Sequence, residues 1–287
     1  MEINATIILE GGGMRGVFTA GVLDFLMDKD YYFSDVIGVS AGSCNGIDYV
    51  SKQRGRSKNC FIITDGNNRF MHPANFFLHR NVMDMEKMFV KFPTEDFPFD
   101  FESFQKSKMN MKIVVTNCLN GKAEYKTLDK TKKLENIELC RASCSMPRFC
   151  KEFYIKGTPY LDGGVSDSIP LRHVLKQKKN DKIFLVLTQP YGYRKKRVKD
   201  PLKKAIKLDF KKYPEFLKVL VNRPSFYNEQ LELIEKLEKE GKIFVIRPEM
   251  KVVKSLEIQE KKLTNFYLHG YQIMNRDFQA LKDYLNS

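Results

Sequence analysis

The sequence lacks any long apolar run. No stretch approaches the roughly 18 consecutive apolar residues that mark a transmembrane helix, so a membrane-spanning segment is not expected. Residues 1–6 carry no basic region ahead of an apolar stretch, so we also expect no secretory signal. We therefore expect a cytoplasmic protein, with peripheral contact to a membrane left open.

Cysteine is scarce as well, with six residues in 287 and no C-x-x-C pair. Cys140, Cys144 and Cys150 are clustered, but their spacing does not match a paired metal-binding motif. A chain of this length with six cysteines is not a disulfide scaffold. We expect buried, reduced thiols, with a zinc site as the less favoured alternative, and no metal or cofactor.

The composition is that of a folded globular chain. Hydrophobic residues make up 43% and aromatic residues 12%, which excludes a disordered protein. The length is sufficient for a large core in one or two domains. No internal repeat is visible.

Predicted strands alternate with predicted helices. Such alternation indicates an α/β fold with a largely parallel sheet. Asn120-Gly121 predicts a hairpin turn in which both residues adopt positive φ. The predicted strands are 5–9, 35–39, 60–63, 111–116, 123–125, 152–155, 159–161, 183–188 and 243–246. The predicted helices are 15–27, a stretch after Gly42, 134–143, a helix from Pro201, 225–240 and 263–285.

The first chemically informative motif is Gly11-Gly12-Gly13-Met14-Arg15-Gly16, between a strand and a helix. Consecutive glycines let the chain turn sharply and point N–H groups into one space, which favours anion binding. The motif also satisfies G-x-G-x-x-G, the dinucleotide fingerprint, which needs an acidic residue near the end of the next strand. Asp35 instead opens that strand, so a dinucleotide site is the minor alternative.

The second motif is Gly38-Val39-Ser40-Ala41-Gly42. A G-x-S-x-G sequence at a strand-to-helix junction is typical of a nucleophile elbow, with the serine oxygen at the head of a helix. A tight turn with a helix-capping serine is the alternative.

The third motif is Asp162-Gly163-Gly164, a carboxylate in an open turn after a strand. An ordinary Asp-Gly turn is the alternative. A serine nucleophile usually takes a histidine base, but none of the four histidines (His72, His79, His173 and His269) has a fitting position. A Ser–Asp dyad is therefore the economical interpretation.

Together the three motifs resemble the patatin-like phospholipases over about residues 5–190. The resemblance implies a three-layer α/β fold with a central, mostly parallel sheet flanked by helices. It assigns Ser40 as the nucleophile, Asp162 as its base and orienting partner, and the amides of Gly11, Gly12 and Gly13 as the oxyanion hole. The supporting motif residues are Arg15, Gly16, Gly38, Gly42, Gly163 and Gly164. Arg15 would either hold the glycine loop or meet a phosphate.

The resemblance also implies a division of the chain and a reaction. Residues 1–190 would form the catalytic core, and residues 191–287 a basic, mostly helical extension packed on it, with a late strand at 243–247. The expected activity is that of a serine lipid acyl hydrolase, with a lipid or lysophospholipid substrate and no metal. Two alternatives stay open: a catalytically weak lipid- or phosphate-binding protein, and a Ser-His-Asp esterase or thioesterase.

The positive charge is concentrated in Arg194–Lys212, where ten basic and two acidic residues contribute +8 of the net +14. Ile206, Phe210 and Leu202 would share one helical face there. The stretch is either a solvated helix or a contact with an anionic membrane. It carries no nucleic-acid-binding signature, so no nucleic acid is expected. The sequence leaves the oligomeric state undetermined.

A second regional feature is the phenylalanine-rich segment around residues 70–104. Its rings would line or cover an acyl pocket, or pack in the core.

Overall fold

The computed structural model describes residues 2–64, 69–71 and 82–287. In this part of the chain, eight strands form one sheet in the order β5-β6-β3-β2-β1-β7-β8, and β4 also pairs with β3. The strands are β1 (Glu2–Leu9), β2 (Tyr32–Val39), β3 (Asn110–Asn117), β4 (Ala123–Thr127), β5 (Phe153–Ile155), β6 (Thr158–Asp162), β7 (Ile183–Val186) and β8 (Phe244–Ile246).

Five strands, β1, β2, β3, β7 and β8, run parallel, as expected for strands joined by helical crossovers. Strands β4 and β6 pair antiparallel with opposite edges of β3, since Val115 pairs with both Glu124 and Asp162, and β5 pairs antiparallel with β6. Because β1 and β2 lie side by side and parallel, the residues that follow Leu9 and Val39 meet at the same edge of the sheet.

Helices cover both faces. They are α1 (Gly16–Asp28), α2 (Ala41–Val50), α3 (Arg56–Phe61), α4 (Phe101–Lys106), α5 (Lys133–Cys144), α6 (Leu171–Gln177), α7 (Asp200–Asp209), α8 (Pro214–Lys239) and α9 (Glu260–Asn286). A π-helical segment spans Lys87–Asp96. Short 3-10 turns span Gly13–Arg15 and Gly163–Val165.

The core has a layer on each face of the sheet, because alternate residues of a strand point to opposite sides. Ile7 belongs to the cluster beneath α1 and α9, whereas Ile8 belongs to the cluster beneath α6 and α8. This three-layer arrangement confirms the predicted fold class. The prediction that α1 is buried nearly all round is also confirmed, since every residue from Gly16 to Met27 is buried.

The predicted strand at 60–63 is wrong. Cys60 and Phe61 end helix α3, which Gly55 precedes with φ +80°. A four-residue apolar run does not distinguish strand from helix. Long-range contacts decide the outcome, because Arg56 and Ser57 both bind Asp48 of α2.

The predicted hairpin is present between β3 and β4, and Gly121 has φ +69°. The expectation of positive φ at Asn120 was wrong, because that residue is not among those with positive φ. The Asn120 side chain instead accepts a hydrogen bond from the backbone N–H of Lys122 at 2.9 Å, which stabilises the turn.

Candidate active site

Ser40 occupies a sharp turn between β2 and α2. Its backbone has φ +53° and ψ −124°, a conformation that costs a non-glycine residue roughly 1–3 kcal/mol. Close packing around the turn holds it. A Cβ on Gly42 would lie 2.3 Å from the carbonyl oxygen of Leu9, and one on Gly38 would lie 2.5 Å from that of Gly42. Larger residues at these two positions would push the turn apart.

The Oγ of Ser40 donates a hydrogen bond to Oδ2 of Asp162 at 2.7 Å. Asp162 is the last residue of β6, and its Oδ1 accepts from the backbone N–H of Gly164 at 2.7 Å. Both side chains are buried, with 5% and 6% exposure. Burial raises the pKa of Asp162, and the Ser40 hydroxyl and the charge of Arg223 oppose that rise.

A third residue, Ser143 of α5, fixes the Ser40 backbone. Its Oγ accepts from the N–H of Ser40 at 2.8 Å and donates to the carbonyl oxygen of Val114 at 2.7 Å. The hydroxyl therefore links the elbow to β3. Sequence reasoning assigned Ser143 no role, because a serine near the end of a helix carries no signal of a partner 103 residues away.

The glycine loop lies beside the elbow. A Cβ on Gly11 would lie 3.1 Å from that of Ser40. Gly13 has φ +58°, in the left-handed region that favours glycine. The next amide, of Met14, donates to the Ser255 carbonyl at 3.1 Å. Among residues 2–64, 69–71 and 82–287, no acceptor pairs with the N–H of Gly11, Gly12 or Gly13.

A buried carboxylate supports the loop from behind. Glu10 Oε2 accepts from the backbone N–H of Thr188 at 2.6 Å and from its Oγ1 at 3.0 Å. Glu10 Oε1 accepts from the Tyr227 hydroxyl at 2.6 Å. Sequence reasoning missed this network, since its members lie 178 and 217 residues apart in the chain.

The remaining motif residues surround the same centre. Gly16 begins α1 and packs against Ala41 of α2. Gly163 packs directly on the Val114 carbonyl, and Gly164 supplies the amide that binds Asp162. Arg15 is the last residue of the 3-10 turn that follows the glycine loop, and its Nε is buried with no hydrogen-bond partner in the described residues.

A largely apolar cavity opens from Ser40. Its charged lining residues, Asp48 and Arg56, are paired at 2.6 Å. Four of the phenylalanines singled out from the sequence line it, and Phe97, Phe101 and Phe104 pack elsewhere; Phe76 and Phe77 lie outside the described residues. The lining rings are Phe70, Phe89, Phe92 and Phe99.

The histidines that the structure describes do not reach Ser40. His173 stacks on Tyr125, with ring centroids 3.5 Å apart. His269 accepts from the backbone N–H of Glu249 through Nε2 at 3.0 Å. His72 and His79 lie outside the described residues.

Alternative ligand sites find little support in the described part of the chain. No group of three His, Cys, Asp or Glu side chains there is placed to hold a metal ion. Cys140, Cys144 and Cys150 are free thiols. Asp35, considered for a dinucleotide ribose, pairs with Lys179 and accepts from Asn180 in the first half of β2. It is therefore remote from the glycine loop, which lies at the other end of the strands.

The basic segment forms α7 and its flanks. Helix α7 begins at Asp200, and Ile206 and Phe210 are buried. Leu202, one helical turn before Ile206, is 42% exposed, and Val198 packs against the cluster. Seven basic side chains there have no ion-pair partner in the described residues. They are Lys195, Lys196, Arg197, Lys199, Lys204, Lys207 and Lys211.

No helix within the described ranges combines the length and the hydropathy needed to cross a membrane.

Two family models match the chain. The model for patatin-like phospholipase matches residues 7–175, and that for a domain of unknown function, DUF6363, matches residues 213–286. The amino-terminal match contains Ser40, Asp162 and the glycine loop.

Two proteins are similar to this chain in sequence. The uncharacterized protein YjjU of Escherichia coli K12 is 28% identical over 174 residues, which are 60% of this chain and 48% of YjjU. This chain thus spans about half the length of that relative. The probable lipid hydrolase 463L of invertebrate iridescent virus 6 is 26% identical over 206 residues, 64% of this chain and 69% of that protein.

The crystal structure of VipD from Legionella pneumophila has a similar fold. The likeness covers 99% of this chain and 67% of that one, with a TM-score of 0.53 and 14% identity. At this identity the likeness concerns the fold alone.

Proposed function

We propose a function for this chain, which belongs to the patatin-like phospholipase family. We infer that it is a serine lipid acyl hydrolase with a Ser40–Asp162 dyad. The observation that carries this proposal is the 2.7 Å hydrogen bond from Ser40 to a buried carboxylate, made by a serine on a strained elbow. The name of the viral relative, a probable lipid hydrolase, agrees with the proposed substrate class.

In the first half of the reaction, Ser40 Oγ attacks the carbonyl carbon of an ester while Asp162 Oδ2 takes its proton. The raised pKa of Asp162 suits this role, because a stronger base accepts the proton more readily near neutral pH. The tetrahedral oxyanion would receive hydrogen bonds from the free amides of the glycine loop. Collapse expels the alcohol, which takes the proton from Asp162, and leaves Ser40 acylated.

In the second half, water attacks the acyl-enzyme. Asp162 accepts a proton from that water, and the second tetrahedral intermediate breaks the bond between Ser40 Oγ and the acyl carbon. The carboxylic acid leaves, and the proton returns from Asp162 to Ser40 Oγ. Every proton transfer uses one carboxylate, so the scheme needs no histidine.

The cavity suggests what the acyl group is. Its apolar lining is that of a site that holds a hydrocarbon chain beside the nucleophile. We therefore favour a lipid or lysophospholipid ester as the substrate.

We further propose that α7 and its flanks touch an anionic membrane surface. Unpaired cations there attract acidic lipids, and Leu208, which is 68% exposed, would enter the interface. A triple change of Lys204, Lys207 and Lys211 to Gln should abolish sedimentation with phosphatidylglycerol vesicles. The matched triple change of Lys236, Lys239 and Lys282 should not. Equal sedimentation of both variants would refute the contact.

The division of the chain is also a proposal, with residues 1–190 as the catalytic core and 191–287 as an extension packed on it. Two observations support close packing between the core and the extension. Strand β8 continues the central sheet beside β7, and α9 packs along α1. Tyr267 of α9 donates to buried Asp24 of α1 at 2.7 Å.

Hydrolysis of medium-chain p-nitrophenyl esters tests the proposed activity. Ser40→Ala and Asp162→Asn should each lose about 10³-fold or more in kcat. Ser166→Ala and Asp167→Asn change a neighbouring serine and a neighbouring buried aspartate, so they should retain turnover. Wild-type protein that is folded but inert toward esters and lysophospholipids would favour the alternative of a lipid-binding protein.

A further inference from the structure

The glycine loop separates two environments. Gly13 and Met14 line the apolar cavity together with Ser40. Gly12 does not line this cavity, and a Cβ on it would lie 2.8 Å from Thr188 Oγ1. If Ser40 cleaves a lipid ester, as proposed above, the acyl chain occupies the cavity and the alcohol part lies on the Gly12 side.

Arg223 of α8 lies beside Gly164 and Asp162. Its Nε donates to the carbonyl oxygen of Gly164 at 2.5 Å. The point that a Cβ on Gly164 would occupy is 3.4 Å from Arg223 Nη2 and 3.0 Å from Asp162 Oδ1. The guanidinium is therefore within a few ångströms of the dyad, yet no carboxylate in the described ranges forms an ion pair with it.

Lys195 lies in the same region. Its Nζ is 3.3 Å from the centroid of the Tyr227 ring, and its backbone N–H is held by Asn228 Oδ1 at 2.8 Å. The described residues offer this ammonium no carboxylate within ion-pair distance. Burial, together with the charges of Arg223 and Arg15, lowers the pKa of Lys195 to about 7, and Glu10 acts in the opposite direction.

The local charge is unbalanced. Three basic side chains, Arg15, Lys195 and Arg223, lie near two carboxylates, Glu10 and Asp162. Both oxygens of Glu10 already accept hydrogen bonds, from Thr188 and Tyr227. A partly buried cation with no carboxylate at ion-pair distance is destabilised by the loss of water around it. A bound anion would supply the missing partner.

We propose that Lys195 and Arg223, together with Arg15, form a subsite for the phosphate on the alcohol side of a lipid ester. Charged hydrogen bonds from Arg and Lys to phosphate oxygens are strong and directional. Two of the three cations lie in residues 191–287, and Arg223 and Tyr227 lie in the matched domain of unknown function. That domain would thereby complete the active site and set its preference for anionic lipids.

Two esters with the same acyl chain test the subsite. We would compare kcat/KM for decanoyl lysophosphatidylglycerol, a phosphodiester, with that for uncharged monodecanoylglycerol. Wild type should prefer the anionic ester. Lys195→Met and Arg223→Gln should each lower the ratio of the two values about tenfold or more, mainly through KM for the anionic ester. Lys195→Arg should restore most of the ratio, and Lys261→Met, an exposed change on α9, should keep it.

A binding experiment separates this inference from the proposed function. Ser40→Ala protein should bind decanoyl lysophosphatidylglycerol, and adding Arg223→Gln should weaken that binding about tenfold or more. Hydrolysis of both esters with a ratio that neither variant alters would overturn the subsite and leave the hydrolase intact. Absence of any hydrolysis would overturn the hydrolase, and the binding measured on Ser40→Ala would then decide the subsite alone.

Discussion

Ser143 Oγ accepts a hydrogen bond from the backbone N–H of Ser40 at 2.8 Å and donates one to the carbonyl oxygen of Val114 at 2.7 Å. One hydroxyl thus joins three elements, β3, α5 and the elbow, in the buried centre of the protein. The contact explains how a strained backbone at Ser40 is held in one conformation.

Ser143→Ala should therefore lower the free energy of unfolding by about 1–3 kcal/mol, because it leaves a buried donor and a buried acceptor without partners. Urea denaturation followed by circular dichroism measures the change. The control is Ser145→Ala on the neighbouring turn, whose hydroxyl bonds the Arg141 carbonyl. An equal or larger loss in the control would contradict a special role for Ser143.

Gly13→Ala should lower kcat/KM on p-nitrophenyl esters about 10²-fold or more, since one oxyanion donor typically contributes that much. The new Cβ would lie 2.5 Å from the Ser255 carbonyl oxygen and the backbone has φ +58°, so the loop amides must move. Gly157→Ala is the matched control, with φ +78° and open space around it. It should suffer the backbone strain alone and keep its activity. Similar activity in the two variants would argue against the glycine-loop oxyanion hole.

The fall of kcat/KM at low pH, measured on an uncharged ester, should have its midpoint above the ordinary pKa of an aspartate. Burial raises the pKa of Asp162, and the carboxylate must be deprotonated to act as a base, so activity falls as pH drops through that raised pKa. Arg223→Gln removes a charge that lowers this pKa, and should move the midpoint to higher pH. A midpoint that the variant leaves in place, or moves to lower pH, would show that Asp162 is not the titrating base.

His173→Gln and His269→Gln should retain kcat/KM within about threefold, whereas loss of a triad histidine costs about 10³-fold or more. The reason is positional, because His173 stacks on Tyr125 and His269 binds the backbone of Glu249. The same assay on His72→Gln and His79→Gln extends the test to all four histidines. A collapse of activity in any one folded variant would restore the Ser-His-Asp alternative.

Much of the site was predictable because its motifs are local. The glycine loop and the Ser40 elbow each follow a short strand, and parallel neighbouring strands bring such turns together. Asp162 could be paired with Ser40 from the family resemblance, although a bare Asp-Gly-Gly turn has no distinctive periodicity.

The parts that sequence did not predict depend on contacts distant in the chain. Ser143, Glu10 and Arg223 look like ordinary residues until the fold brings them to Ser40 and Asp162. Cys60 and Phe61 became the end of helix α3, whose first turn binds Asp48.

Covalent labelling with a fluorophosphonate probe tests the central claim most directly, since it reports an activated serine whatever the natural lipid is. Wild-type protein should carry one adduct, and tandem mass spectrometry should place it on Ser40. Ser40→Ala should remain unlabelled, and Asp162→Asn should label about 10²-fold more slowly or worse. An adduct on another serine, or a folded Asp162→Asn protein that labels at the wild-type rate, would contradict the Ser40–Asp162 dyad.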